Sequence, residues 1–438
     1  MKVTHLQSST QIIHLGDVKI LCDPWLTDGE YYGSWYHYPP FEESNLARLE
    51  YDFIYVSYIH PDHLSEETFR RLPKKKPVLI HNYSSKFVKR KIELLGYDVI
   101  ECDHGVPYKF NNSGSITIYA ADNCNPELCG KYLGCATVET KFGSTQIDTL
   151  CAFSYDEQTI LNTNDCPFEL AETTIKDNFL DKNVSLLLVG YGGAGPYPQC
   201  FKFDDVEEKR KAAKTKEKQF LDQAIRFISL IKPKIFAPFA GTYILGSRLS
   251  SLTEFYGVPS LDDALTYLND QLKGISKGIL LKQLDMYCLT KDKLIRYDQP
   301  FQKSYSEYLK QISTLNLTYD GDEWNDDEIS DLIKKAYDRF KSKANEIDFN
   351  SKTTLVIQSD KTAYQLSTNK QPTKILVNMK ISEPFVRITL HHNLLNRLLR
   401  GPRFAHWNNA EIGSHLSFDR NPNSFERGLY HCLCFLHQ

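Results

Sequence analysis

Two histidines and an aspartate lie close together directly after a short apolar segment. His60, Asp62 and His63 follow residues 53–57, a run that has the length and composition of a buried strand. A loop that leaves the end of a strand can point several side chains at one place. Imidazole and carboxylate groups suit zinc, iron or manganese. The spacing predicts a metal site here, and a solvated loop is the alternative.

Two further aspartates end strand-like segments that are distant in sequence. Asp23 follows residues 21–22, and Asp165 closes the segment 160–164. Acidic residues at separate strand ends are the arrangement expected of a metal or catalytic cluster. For each aspartate taken alone, a turn or a helix cap is the alternative.

Two segments could bind a substrate. Tyr191, Gly192 and Gly193 belong to a glycine-rich run at 190–195, whose main-chain amides could face a phosphate. A tight turn required by packing explains the same residues equally well. Trp35 lies in an aromatic loop at 31–41 that could cover a pocket and stack on a sugar or a base. Filling of a core is the alternative for these aromatic residues.

The elements that would hold these residues alternate between strands and helices. Residues 1–25 read as short strands with a hairpin turn at Gly16 and Asp17. Ser65 precedes an acidic first turn and predicts the start of a helix. A long charged helix is expected at 205–231. Many strands with interspersed helices fit a sandwich of two mixed sheets with outer helices.

The pattern changes near residue 300, which predicts two domains, 1–290 and 300–438. The chain of 438 residues is too long for one ordinary core. The second domain is expected to be α+β. Its predicted helices lie at 303–313, 326–346 and 391–400, and its predicted strands lie at 353–358, 373–380 and 385–390.

Composition and charge exclude several classes of protein. Hydrophobic residues make up 41% and charged residues 24%, which are globular values. The net charge of −3 leaves no electrostatic footprint for nucleic acid. The first residues do not resemble a signal peptide, and no apolar run approaches the roughly 20 residues of a membrane span. Eleven scattered cysteines without a CxxC pair favour the reducing cytoplasm.

Five segments together resemble the metallo-β-lactamase superfamily, and within it the lactamase-like portion of the CMP-N-acetylneuraminate hydroxylases. They occur in the family's order, and the resemblance extends over about residues 1–250. It implies a metallo-β-lactamase αββα sandwich. The segments are LCDPWL at 21–26, IYVSYIHPDHLS at 54–65, DTLCAFSYDEQTILNTNDCP at 148–167, VGYGGAGPYPQCF at 189–201 and KPKIFAPFAG at 232–241.

The resemblance also implies a set of metal ligands. The superfamily's H-x-H-x-D-H motif falls on Tyr58, His60, Asp62 and His63, so a tyrosine replaces the first histidine. The later bridging aspartate falls on Asp165. Four ligands therefore survive, and they imply one divalent metal, iron or zinc, with open coordination positions. A standard dinuclear hydrolase site is not expected.

Other positions depart from the superfamily. Ser144 stands where a further histidine is usual, and residues 239–241 lack the last one. Tyr58 could be a ligand, a catalytic proton donor or a plug in the vacated space. His5, near which related proteins also carry a histidine, could lie by the metal or be a satisfied histidine of the sheet.

The resemblance implies an enzyme that acts on a nucleotide-activated sugar or another phosphate-containing small molecule. Hydrolysis would use a metal-bound water that Asp62 orients or deprotonates. Iron-dependent hydroxylation would need electrons from a separate redox partner, because no Rieske ligand set is present. Cys102 and His104 form only the C-x-H half of one.

The alternative function is a catalytically decayed protein that serves as a binding or scaffolding module. The loss of up to three histidines supports it. Retention of four polar ligands argues against it, since unpaired carboxylates in a confined site are costly. The C-terminal domain weakly resembles sterol-carrier-type domains, and a docking or dimerisation domain is the alternative. The sequence predicts no particular oligomeric state.

Overall fold

The computed structural model describes residues 1–110, 114–125, 148–180, 182–297, 301–325 and 328–438. Ser144 lies outside the described residues. Within these ranges, no helix has both the length and the apolar character that a membrane span requires.

The described strands and helices are numbered in chain order. The strands are β1 Lys2–Gln7, β2 Thr10–Leu15, β3 Val18–Cys22, β4 Trp35–Tyr36, β5 Phe53–Tyr55, β6 Val78–His81, β7 Val99–Cys102, β8 Pro107–Lys109, β9 Ser115–Ala120, β10 Thr149–Tyr155, β11 Gln158–Asn162, β12 Leu186–Gly190, β13 Ile235–Phe239, β14 Ile244–Leu245, β15 Lys277–Gly278, β16 Met286–Cys288, β17 Lys293–Ile295, β18 Thr354–Gln358, β19 Ala363–Ser367, β20 Lys370–Ile375, β21 Phe385–Thr389 and β22 Ser417–Asn421. The helices are α1 Glu30–Gly33, α2 Glu43–Leu46, α3 Glu66–Arg71, α4 Phe87–Leu94, α5 Phe168–Phe179, α6 Val206–Ile231, α7 Leu261–Gln271, α8 Tyr305–Ile312, α9 Ile329–Glu346, α10 His392–Arg400, α11 Trp407–Ile412 and α12 Arg427–Leu433, with a 3-10 helix at Ser247–Phe255.

Two large mixed sheets form the N-terminal part of the chain. The first has the order β17-β16-β1-β2-β3-β5-β6-β7, and the second has the order β15-β13-β12-β11-β10-β9-β8. β3 and β5 are parallel neighbours in the first sheet, and β11 and β12 are parallel neighbours in the second. Because parallel strands end at the same edge, the residues that follow β3 and β5 begin side by side.

The two sheets pack face to face, and helices cover both outer faces. One apolar core joins side chains of both sheets, among them Val3, Ile20, Phe153 and Leu188. The outer face of the first sheet packs on α3 and α4. The outer face of the second packs on α5, α6 and α7. The predicted αββα sandwich is confirmed.

The C-terminal part contains a five-stranded sheet in the order β20-β19-β18-β21-β22. It shares a core with α9 and α10, and Phe201 also belongs to this core. The ring of Phe201 stacks on Phe418, with 4.8 Å between the ring centroids. The predicted strand at 373–380 is shifted, because β20 ends at Ile375 and Leu376–Met379 forms a turn. The division at residue 290–300 stays a prediction.

Candidate metal centre

Three of the four predicted ligands meet where loops from the two sheets approach each other. Nε2 of His63 lies 3.2 Å from Oδ2 of Asp165 and 3.5 Å from Oδ2 of Asp62. One donor atom of each residue lies within 4.8 Å of the other two. Asp62 and His63 are buried, and Asp165 is partly exposed. This spacing is compatible with three ligands to one ion.

His63 is held from behind by Asp23. Its Nδ1 lies 2.9 Å from Oδ2 of Asp23, which is itself fully buried. Burial alone would lower the pKa of the His63 imidazole, but the charges of Asp165, Asp62 and Asp23 raise that pKa well above its usual value. Asp23 therefore orients a ligand candidate rather than facing the cluster itself.

His60 lines the same cavity without joining the three-residue cluster. The cavity has a volume of about 240 Å³, and Asp62 and Asp165 also line it. Nε2 of His60 lies 3.1 Å from Oδ1 of Asn408, in α11. Burial lowers the pKa of the His60 imidazole, which favours its neutral form.

Tyr58 packs on His60. The two ring centroids are 4.4 Å apart and the rings are nearly perpendicular, at 80°. The phenol therefore occupies space beside His60, as expected for a residue that replaces the first histidine of the motif. Whether it donates a proton in catalysis stays a prediction.

Asp148 is a third carboxylate of this cavity, and the sequence analysis missed it. Its Oδ1 is buried and has no hydrogen-bond partner among the described residues. Burial, followed by the charge of Asp165, raises the pKa of the Asp148 carboxyl well above its usual value. Asp148 directly precedes β10, and an acidic residue adjoining a buried strand was the available signal.

Tyr31 was also missed as a residue of the centre. Its ring is buried and its hydroxyl donates a hydrogen bond to Oδ1 of Asp62. The sequence placed Tyr31 in an aromatic loop, but nothing in that loop indicated a contact with Asp62. The hydroxyl fixes one carboxylate oxygen and leaves Oδ2 on the side of His63.

The predicted substrate residues separate into two groups. Gly192, Gly193 and Trp35 line a narrow cavity of about 20 Å³ together with the metal-ligand candidates. Trp35 stacks on Tyr243, with 3.6 Å between ring centroids. Tyr191 is fully buried in the core behind the second sheet. Its ring is therefore not among the groups that line either cavity, and the role of its main-chain amide stays a prediction.

His5 lies in β1 and is not among the described residues that line these cavities. Burial lowers the pKa of its imidazole to about 4, and the charge of Asp285 partly opposes that shift. His5 is not part of the three-residue cluster, and its buried Nδ1 has no hydrogen-bond partner among the described residues, so its role near the metal stays a prediction.

The donor set fits a divalent cation. Three carboxylates line the 240 Å³ cavity, and its described lining residues include no lysine or arginine. Carboxylates confined together without cations are costly. The buried, unpartnered oxygen of Asp148 adds to that cost. Oxygen donors with imidazole nitrogen suit iron, manganese or zinc.

No model of a protein family matches the chain. The chain is similar to the cytidine monophosphate-N-acetylneuraminic acid hydroxylases. The protein of Xenopus laevis is 28% identical over 259 residues, and that of Pan troglodytes is 26% identical over 257 residues. Each match covers 56% of this chain and 38% of the relative. The predicted resemblance to these hydroxylases is confirmed, and the chain spans less than half of their length.

One similar protein, from human, is an inactive hydroxylase. The inactive cytidine monophosphate-N-acetylneuraminic acid hydroxylase of Homo sapiens is 26% identical over 257 residues, covering 56% of this chain and 45% of that protein. Active and inactive proteins therefore match this chain at the same identity, and identity alone does not separate an enzyme from a decayed one.

Solved structures are similar at lower identity. Igni18, a metallo hydrolase from Ignicoccus hospitalis, has a TM-score of 0.42 at 14% identity and covers 68% of this chain and 99% of its own. CmlA, a diiron beta-hydroxylase from Streptomyces venezuelae, also has a TM-score of 0.42 at 14% identity. The match covers 68% of this chain and 54% of CmlA. The metallo-beta-lactamase fold protein YhfI from Bacillus subtilis has a TM-score of 0.38 at 10% identity. The match covers 65% of this chain and 98% of YhfI.

Proposed function

We propose that this chain is a metal-dependent enzyme that acts on a nucleotide-activated sugar or another phosphate-containing small molecule. One observation carries the proposal: Asp62, His63 and Asp165 converge within 4.8 Å at the edge of a sandwich. His60 and Asp148 line the same cavity. We propose the first three residues as ligands of iron or zinc, with His60 and Asp148 as further donors.

The bound metal would activate either a water molecule for hydrolysis or dioxygen for hydroxylation. The residues of the chain have defined tasks in both cases. Asp23 holds the His63 ring, and Tyr31 holds one oxygen of Asp62. The other oxygen of Asp62 would bind the metal and orient the molecule that the metal activates. Trp35 and the main chain of Gly192 and Gly193 could border the substrate.

The similarity to the hydroxylases favours hydroxylation and a nucleotide sugar. Hydroxylation places one atom of dioxygen into a C–H bond and releases the other as water, which requires electrons from a donor. We propose a separate redox partner as that donor. The cysteines of the described residues are free thiols, which supports the proposed cytoplasmic location.

The experiment is an activity assay with the purified chain loaded with iron(II) or with zinc(II). A cytidine-monophosphate-linked sugar is incubated with each form, and the products are separated and weighed by mass spectrometry. The iron form is incubated in air with a chemical reductant. Gain of one oxygen atom by the intact substrate supports hydroxylation, and cleavage with gain of water supports hydrolysis.

A control variant distinguishes product formed by the protein from product formed by free metal ions. Asp165→Ala removes one proposed ligand and should abolish the product in either form. Metal binding without turnover of this sugar, or of a generic phosphodiester, would contradict the proposed enzyme and favour a decayed binding module.

A further inference from the structure

Residues 406–415, from the C-terminal part of the chain, reach the candidate metal centre. Within this segment, which we call the reaching segment, Asn408 contacts His60 across 348 positions of sequence. Ile412 lines the 240 Å³ cavity and packs in one buried cluster with Tyr31 and Trp35. The centre is therefore built from both parts of the chain.

We propose that the reaching segment positions two groups of the metal centre: Asn408 orients His60, and His415 fixes Tyr31, which orients Asp62. This inference rests on the proposed function, since it assumes that His60 and Asp62 face a metal. It gives the C-terminal part a role in the metal centre, which differs from the sterol-carrier and docking roles considered from the sequence.

Asn408 selects one tautomer of the neutral His60 ring. An amide oxygen accepts hydrogen bonds and cannot donate them, so the 3.1 Å contact places the ring proton on Nε2. Nδ1 then keeps its lone pair and can serve as a metal donor. Metal-binding histidines commonly donate their other ring N–H to an oxygen, which fixes the tautomer and the ring orientation.

His415 holds the main chain of the aromatic loop. Tyr31 and Tyr32 both adopt left-handed backbone conformations, with φ of 51° and 62°. Such conformations are unfavourable for non-glycine residues and persist only where the surrounding structure enforces them. Nε2 of His415 lies 2.6 Å from the carbonyl oxygen of Tyr31, and the hydroxyl of Tyr32 accepts from the main-chain N–H of His406 at 2.7 Å.

The hydrogen-bond roles of His415 are consistent with this arrangement. Burial lowers the pKa of its imidazole to about 4, so the ring is neutral and carries one proton. Nε2 donates that proton to Tyr31, and Nδ1 accepts from the hydroxyl of Tyr319 at 2.9 Å. Both ring nitrogens are therefore used, and the ring cannot turn without losing both bonds.

Gly413 lets the reaching segment approach Tyr31 closely. A Cβ atom at Gly413 would lie 2.8 Å from Cβ of Tyr31. That distance is too short for two side chains, so a larger residue would push the aromatic loop away from the segment. The phenol of Tyr31, and with it the contact to Asp62, depends on this packing.

The test measures metal affinity in the full-length protein. Wild type, Asn408→Ala and Asn408→Asp are titrated with cobalt(II) against a competing chelator, and the visible absorption of the bound cobalt is recorded. We expect Asn408→Ala to lose about tenfold to 100-fold in affinity and to change the spectrum. Asn408→Asp, which keeps an acceptor oxygen, should recover most of the affinity.

Asn396→Ala is the matched control, because Asn396 is buried in α10 of the same part of the chain and bonds only within its helix among the described residues. It should leave cobalt affinity and spectrum unchanged. Thermal unfolding of the metal-free variants accompanies each titration. An affinity loss in Asn408→Ala that exceeds the control at comparable stability supports the inference.

Three results would overturn the inference. If wild type binds cobalt and Asn408→Ala binds it with the same affinity and spectrum, positioning by Asn408 is wrong while the proposed function stands. If both alanine variants lose affinity and stability in parallel, the reaching segment has only a structural role. A wild-type protein that binds no cobalt would overturn the proposed function and this inference together.

Discussion

Asp23 and His63 form a buried carboxylate–imidazole pair, with 2.9 Å between Oδ2 and Nδ1. Asp23 also accepts from the main-chain N–H of Ser57 at 2.7 Å and from its hydroxyl at 2.6 Å. These bonds fix the carboxylate, which in turn keeps one ring proton of His63 on Nδ1, so that the proton displaced by a metal ion would be the one on Nε2. Nε2 is left facing Asp62 and Asp165. The pair thus orients a ligand candidate from outside the centre.

Replacing Asp23 by asparagine should weaken metal binding by about tenfold to 100-fold. The amide keeps the size of the side chain but loses the charge and can present an N–H to the ring, which favours the wrong tautomer of His63. Chelator competition with zinc(II) measures the effect. Asp156→Asn, in the exposed hairpin turn between β10 and β11, is the control. Equal affinities in the two variants would contradict the assigned role.

Asp148→Asn should lower metal affinity without lowering the stability of the metal-free protein. The variant replaces a buried carboxyl, one oxygen of which has no hydrogen-bond partner among the described residues, by a neutral amide of the same size. Burial raises the pKa of that carboxyl well above its usual value, so the metal-free protein loses no charge interaction, whereas a metal ion loses an anionic donor. Urea unfolding in the presence of a chelator gives the free energy of unfolding, and zinc titration gives the affinity. A destabilised variant with unchanged affinity would show that Asp148 is structural.

Gly193 lines both cavities of the centre and lies directly against the ring of Phe220. A Cβ atom would lie 1.9 Å from the ring of Phe220. Gly193→Ala should therefore displace the partly exposed ring of Phe220 and destabilise the protein by about 0.5–1.5 kcal/mol, the cost of a side chain forced off its preferred rotamer, and Phe220→Leu in the same chain should restore part of that loss. Gly321→Ala, where a Cβ meets nothing within 4 Å, should be nearly neutral. Urea unfolding checks all three, and a neutral Gly193→Ala would refute the packing argument.

The sandwich could be predicted because its signals are local. The apolar run before His60 and the strand end before Asp165 place the ligand candidates on the correct loops of the two sheets. Asp148 is harder to recognise, because an aspartate beside a strand is ordinary in sequence and becomes informative only when its neighbours are known.

Contacts between distant parts of the chain explain the other omissions. The Asn408–His60 contact and the His415–Tyr31 contact each join residues several hundred positions apart. Neither Asn408 nor His415 belongs to a motif, and side-chain periodicity carries no information about such a pairing. The ring of Tyr191 is a further example, since its place in a glycine-rich run gives no sign that it is buried in a core; the predicted role of the main-chain amides of that run stays a prediction.

Glu411 should make stability depend on pH. Burial raises the pKa of its carboxyl to about 7 in the folded protein, from 4.5. Below pH 4.5 the group is protonated in both states. As pH rises toward 7 the unfolded state loses the proton first, so stability falls, by at most about 3 kcal/mol at 1.36 kcal/mol per pKa unit.

Glu411→Gln removes that contribution, so the variant should gain stability relative to wild type as pH rises from 4 to 8. Other titrating groups are common to both proteins and cancel in the difference. Urea unfolding of both proteins at each pH measures the difference between their free energies of unfolding. A difference that stays constant over this range would show that Glu411 is solvated in the folded state.

The central claim is that Asp62, His63 and Asp165 hold a metal ion. Elemental mass spectrometry of the purified full-length protein tests it most directly, beside His63→Ala and the Asp156→Asn control. The account predicts iron or zinc bound in stoichiometric amount in wild type and in the control, and lost in His63→Ala. Wild-type protein without metal after reconstitution with iron(II) and with zinc(II), or metal retained in His63→Ala, would contradict it.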